Sequence, residues 1–236
     1  MSRATSVFVA VLLCSVSNLL NAGIIDTTSG WTGAGTFFGE SEPSWQATLG
    51  QTFTVPLDDT KLDSFSFWLQ DRFYTDHYFQ AYVAPWVHSS ESTAVAPMAY
   101  TGAVIHATTL PPFAPSSPEK YQQFTFNAGG IDLTAGGKYV AFLSASGLFD
   151  TVQDAVSMGV NTNNPYADGN AVFVGSDNSP TQFFINDGWT NLTGWDLAFR
   201  AEFSNSSVPE PSTFLLWSLL GGAGAAIGWR RRKRTA

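Results

Sequence analysis

Three observations predict an all-β protein, an antiparallel β-sandwich of jelly-roll-like form. Apolar and polar side chains alternate with period two in segment after segment, turn residues separate those segments, and the chain is dense in rings. Of 236 residues, 19 are Phe, 8 Trp and 7 Tyr, while only 13% are charged. A typical soluble domain is about 25% charged. Low charge alone could suggest a disordered chain, but disordered chains are poor in aromatics, so a packed core is expected. Away from the two ends no stretch keeps a helical period for three turns.

Taken in order, Leu49, Phe53 and Val55 share a face that Gln51 interrupts. Phe65, Phe67 and Leu69 alternate with Ser64, Ser66, Trp68 and Gln70. Phe79, Ala81 and Val83 alternate with Tyr78, Gln80 and Tyr82, and Phe124 and Phe126 flank Thr125. Residues 139–143 are continuously apolar, the pattern of a strand covered on both faces. Val156, Met158 and Val160 alternate, and 172–174 and 183–185 are short apolar runs. Finally Trp195, Leu197, Phe199, Ala201 and Phe203 alternate with Asp196, Ala198, Arg200 and Glu202, which places the first set in the core. The tally is roughly nine or ten strands. Asp58-Asp59, Gly129-Gly130, Gly136-Gly137, Asn163-Asn164-Pro165 and Asp187-Gly188 supply turns. Two stretches are expected to be long loops: 84–121, with Pro85, Pro97, Pro111, Pro112, Pro115 and Pro118, and 161–170, rich in Asn, Asp and Gly.

The ends are different. Arg3 is followed by an apolar run over 7–13 and then by small residues up to Ala22-Gly23. A short positive start, an apolar core and a small residue before the cut describe a secretory signal peptide, with cleavage expected between Ala22 and Gly23. Cys14, the single cysteine, lies inside that segment, so neither a disulfide framework nor a cysteine-based zinc site is available to the domain. At the other end, 212–229 contains no charged side chain. An 18-residue helix is about 27 Å long, close to the roughly 30 Å of a bilayer's hydrocarbon core. Pro209 and Pro211 set its start, and the basic run Arg230, Arg231, Arg232, Lys233 and Arg234 acts as a cytoplasmic membrane stop. The resulting division is 1–22 signal peptide, 23–204 β-sandwich ectodomain, and 205–236 linker, one transmembrane helix (about 212–229) and basic tail (230–234).

Val208-Pro209-Glu210-Pro211-Ser212, the apolar span and the Arg-rich end stand in that order. This tail closely resembles the PEP-CTERM sorting signal of bacterial exported proteins. The resemblance implies an exosortase as partner, recognition through Pro209, Glu210 and Pro211, and cutting near that motif. It also implies transient anchoring in inner-membrane lipid before delivery to the cell surface or an exopolysaccharide matrix. The ectodomain segments at 50–67, 133–142 and 195–199 resemble domains common among such proteins, a resemblance that implies no activity. The two prolines keep the backbone around Glu210 extended, as a processing site requires.

Chemistry is sparse. His77, His88 and His106 lack metal-ligand spacing, and there is no Gly-x-Ser-x-Gly elbow. Asp71 with Asp76, or Asp58 with Asp59, would be the carboxylate pairs of a glycoside hydrolase. Asn163 and Asp168 are weak calcium candidates within an oxygen-rich loop; no other metal or cofactor is expected. Trp68, Trp86 and Trp189 are candidate glycan contacts, Trp68 because it stands on the polar parity of its strand. Residues 23–207 carry five positive side chains (Lys61, Arg72, Lys120, Lys138, Arg200) against eighteen negative ones, a net of −13, which excludes nucleic acid as a partner. The expected function is therefore that of an exported surface or exopolysaccharide-matrix protein with a non-enzymatic structural or interaction role. A carbohydrate-binding module is the alternative, and a glycoside hydrolase comes third.

Overall fold

The computed structural model describes residues 23–40, 46–73, 76–88, 93–95, 98–114, 116–150, 152, 154–175 and 189–205. Signal peptide, sorting motif, apolar span and basic tail lie outside them, as does the apolar run at 183–185.

Fourteen strands form among the described residues. They are β1 (Gly23–Asp26), β2 (Gly35–Phe38), β3 (Thr48–Thr54), β4 (Lys61–Phe73), β5 (His77–His88), β6 (Thr93–Val95) and β7 (Tyr100–Ala107). After a short 3-10 turn at Pro118–Lys120 follow β8 (Gln122–Asp132), β9 (Lys138–Ser144), β10 (Ala155–Asn161), β11 (Ala171–Val174), β12 (Thr190–Leu192), β13 (Asp196–Leu197) and β14 (Phe199–Ser204). Two seven-stranded sheets result. The first runs β1-β14-β4-β10-β13, with β2 on β10 and β8 on β4; the second runs β12-β11-β3-β9-β5-β6, with β7 on β5. Every pairing is antiparallel. All-β architecture and the two-sheet sandwich match the sequence expectation.

Alternation fixes which side of each strand faces inward. Phe65, Phe67 and Leu69 of β4 and Phe199, Ala201 and Phe203 of β14 are fully buried, opposite Leu49 and Phe53 of β3 and Phe79, Ala81 and Val83 of β5. Phe53 touches rings of both sheets, 5.9 Å from Phe199, 5.9 Å from Phe203 and 6.1 Å from Tyr139. β9 is buried on both faces, as its unbroken apolar run implied. Tyr139, Ala141 and Leu143 join the core between the sheets. Val140 and Phe142 join Ala84, Val172, Val174 and Trp189 in a second apolar layer on the far side.

In the first sheet β4 has β8 along one side and, along the other, β14 opposite residues 61–67 and β10 opposite 69–73. β10 and β14 thus lie end to end. Their junction is tied by Thr27, whose hydroxyl contacts the Leu197 carbonyl and accepts the Phe199 N–H at 2.8 Å. Asn161 Nδ2 donates to the carbonyls of Thr27 (2.9 Å) and Ser29 (2.8 Å).

Two expectations are corrected. The stretch 84–121 is not one loop: it holds the end of β5, all of β6 and all of β7. Pro85 lies within β5, opposite Tyr139, the other prolines stand between and beyond the strands, and β7 escaped notice because Gly, Ala and Thr blur its alternation. Trp195 is not a core residue but 40% exposed, while Asp196 is fully buried. The reason is that Trp195 lies in the turn between β12 and β13, so the inward set Leu197, Phe199, Ala201 and Phe203 does not extend to it, while residues 196–199 are all buried.

Candidate functional site

With Phe65, Phe67 and Leu69 inward, β4 presents Ser64, Ser66, Trp68 and Gln70 on the outer face of the first sheet. The register sets Trp68 opposite Gln123 and Ser66 opposite Thr125 on β8, and Ser66 opposite Arg200 on β14. A hydroxyl-amide strip follows from this register. The hydroxyls of Ser66 and Thr125 are 2.9 Å apart, and Gln123 Nε2 donates to Ser66 Oγ at 3.1 Å. Trp68 is half-buried, and among the described residues nothing accepts its indole N–H.

On the β10 side, Gly159 follows Met158, which is paired with Leu69, and its carbonyl accepts the Ala198 N–H. It has to be glycine: a methyl group there would run into the Trp31 ring and lie 2.8 Å from Ala198 Cβ. The Trp31 ring therefore occupies the space above Gly159. Its N–H donates to the Ala34 carbonyl at 2.9 Å, and the Tyr121 ring meets it edge-on at 4.8 Å. The Tyr121 hydroxyl is 3.3 Å from Ser157 Oγ and lies over Gly35; burial raises it above the ordinary tyrosine value. Overpacking costs about 1–3 kcal/mol, so Gly159→Ala is expected to lower stability by about that amount. It should also displace Trp31 and shift tryptophan emission, and an unchanged melting curve and spectrum would contradict the packing described here.

Around Arg200 the charges are net negative. Arg200 lies between Glu202 (3.0 Å) and Asp26 (3.6 Å). Half-buried Trp31 and Trp68 and exposed Gln123 and Thr125 give this face an aromatic and polar surface, with Tyr121 and Ser66 buried beneath it.

The other candidate tryptophans lie elsewhere. Trp189 is buried (6% exposed) on the outer side of the second sheet, 5.3 Å from the Phe142 ring, which removes it from an exposed platform. Trp86 is half-buried with its ring 5.7 Å from Trp189. The reason is the second apolar layer, which makes both of them packing residues.

Asp71 and Asp76 contact different histidines. Asp71 accepts from His77 Nε2 at 3.1 Å, whereas Asp76 contacts His106, whose ring stacks on Tyr78 at 4.3 Å. His77 is 1% exposed and joins the sheets, because it extends from β5 of the second sheet to Asp71 on β4 and Asp154 just before β10. Its Nδ1 is 3.5 Å from Asp154 Oδ2 without hydrogen-bond alignment, so that attraction is Coulombic. Burial pulls the imidazole down, but Asp154 and then Asp71 outweigh it, and His77 titrates above its ordinary value. The side chain of His88 lies outside the described residues.

A second polar tie is Gln51, the residue that interrupted the β3 face. Its Nε2 donates to Asp196 Oδ1 at 2.7 Å, and its Oε1 accepts the Leu197 N–H at 2.7 Å. Tyr166 N–H donates to Asp196 Oδ2 at 3.0 Å. Burial raises Asp196 above the usual carboxylate range, against the pull of these donors.

In the 161–170 loop Asn163 is exposed and gives its amide to the Gly30 carbonyl at 3.2 Å, and Asp168 is exposed. Among the described residues no group of three or more His, Cys, Asp or Glu is placed to hold a metal ion. Nor, among them, is any helix long and apolar enough to cross a membrane.

The class defined so far is an all-β, two-sheet domain with an aromatic-polar outer face, leading at Asn205 into a separate tail. That tail matches the family model described as the PEP-CTERM protein-sorting motif, over residues 207–233. The chain is therefore a PEP-CTERM sorting domain-containing protein, exported and handled by exosortase-type sorting machinery. No curated protein matches it. Among solved structures it is similar to the cysteine protease and lectin-like domains of Cwp84, a surface layer associated protein of Clostridium difficile. That match has 11% identity and a TM-score of 0.41, over 73% of this chain and 36% of the other. A second match, the clostridial cysteine protease Cwp84 after propeptide cleavage, has 11% identity and a TM-score of 0.44, over 73% and 40%. The chain thus spans well under half the length of either one.

Proposed function

We propose that this protein is a bacterial cell-surface or exopolysaccharide-matrix component whose sandwich has a non-enzymatic structural or interaction role. It is secreted by its signal peptide, held briefly in the inner membrane by the 212–229 span, and released or re-anchored when an exosortase cuts near Pro209-Glu210-Pro211. The observation that carries this reading is the PEP-CTERM motif at 207–233, placed directly after the last strand of a folded domain. The engagement of Asp71 and Asp76 by different histidines supports a non-enzymatic role over a hydrolase. The outward, unspent indole of Trp68 favours a second reading within it, a carbohydrate-binding module.

Intact-mass analysis of the protein recovered from its native cells, fraction by fraction, tests the proposal. The expected species begins near Gly23 and ends near Pro209–Pro211. A surface species that retains Arg230–Arg234 would overturn exosortase processing and leave the tail as a plain anchor.

A further inference from the structure

We propose that the outer face of the first sheet, centred on Trp68, binds an uncharged polysaccharide chain. This rests on the interaction-module reading above and gives it a site and a ligand chemistry.

Recognition of a sugar ring needs an apolar plate for its C–H face and hydrogen-bonding groups at the rim for its hydroxyls. Trp68 combines both. Its strand is paired with β8 at Gln123 and has the β10–β14 junction on its other side, so little conformational freedom is lost on binding. Its N–H has no acceptor among the described residues, whereas the Trp31 N–H is committed to Ala34 and the Trp189 ring is buried. Beside it stand the exposed Gln123 and Thr125, which the buried Ser66 hydroxyl ties together. Among the described residues the Gln123 carbonyl oxygen accepts nothing, since both of that side chain's hydrogen bonds use Nε2. Trp31 lies over Gly159 of β10, on the side of β4 away from Gln123.

Charge selects the ligand class. Arg200 is matched by Glu202 and Asp26, which leaves that trio net negative, and Arg72, on the same parity of β4, is engaged over the Phe113 ring at 4.2 Å. The surrounding domain carries the net of −13 noted above. A polyanionic glycan would meet repulsion at long range and no unpaired cation on contact. An uncharged chain meets neither obstacle.

The test is affinity electrophoresis of the full-length protein, in gels cast with neutral glucans, mannans and galactans and, separately, with alginate. The wild type should be retarded by at least one neutral polymer and not by alginate. Trp68→Ala should weaken retardation about tenfold and Gln123→Ala several-fold, each with an unchanged thermal midpoint. If Trp68→Ala proves unstable, the exposed Gln123 variant carries the test. Retardation that is the same in both variants as in the wild type would overturn the site while leaving an interaction role intact. Alginate retardation equal to the neutral polymers would overturn the charge argument. Retardation by no polymer would overturn the proposal, whereas the sorting reading is decided separately by the mass experiment.

Discussion

Phe53→Ala is expected to destabilise the sandwich by about 3–5 kcal/mol, a large part of the roughly 5–15 kcal/mol that holds a domain folded. Phe53 is fully buried and is where the two sheets meet, with Phe199 and Phe203 on one side and Tyr139 on the other. Truncation removes apolar contact from both sheets at once and leaves a cavity that short, mutually paired strands cannot close. Phe53→Leu, which refills most of the volume, should cost much less. Urea denaturation of the three proteins checks this. Midpoints that coincide for wild type and Phe53→Ala would show that Phe53 does not bridge the layers.

His77→Gln should cost about 3 kcal/mol, and the cost should depend on pH with a definite sign. His77 lies between Asp71 and Asp154, which hold it protonated beyond its ordinary range despite burial. A group whose folded pKa is raised contributes stability that is fully present below its unfolded value, about 6.5 for histidine, and lost as pH climbs through the folded value. The gap between wild type and His77→Gln should therefore be widest near pH 5.5–6.5 and shrink as the solution becomes alkaline. Denaturation midpoints at intervals from pH 5.5 to 9 measure it. A gap that stays constant across that range would mean that His77 acts through packing and not through charge.

The inward faces of β4, β5, β9 and β14 were legible because each keeps strict period two or an unbroken apolar run. Trp68 was legible for the same reason, as a large ring on the wrong parity for a core residue. What parity cannot convey is which partner a lone inward polar residue finds. Gln51 announced itself by breaking a face, yet its partners, Asp196 and Leu197, are nearly 150 residues away, joined to it only by the crossing of two sheets. His77 heads the inward set Phe79, Ala81 and Val83, and its carboxylates come from the other sheet. Asp196 was misjudged because residues 196–199 are buried on both sides of the chain, which alternation does not announce. Trp86 and Trp189 looked available because a strand's sequence does not reveal whether a second layer covers its outer side.

The pairing of β1 with β14 has a mechanical meaning. Gly23 stands opposite Phe203, so the first strand enters the fold where the last one leaves it. A force that pulls the two ends apart meets the hydrogen bonds of this pair one rung at a time, starting at Gly23, and β1 peels away from the edge of the sheet under a small load. A force between the tail and the Trp68 face follows another route. It runs through β14 into the long β4, to which β14 is paired over residues 61–67, and strains those rungs together with the phenylalanines beneath them. A domain tethered by its tail and held by its outer face would bear tension along its strongest seam, and its weak edge would carry none.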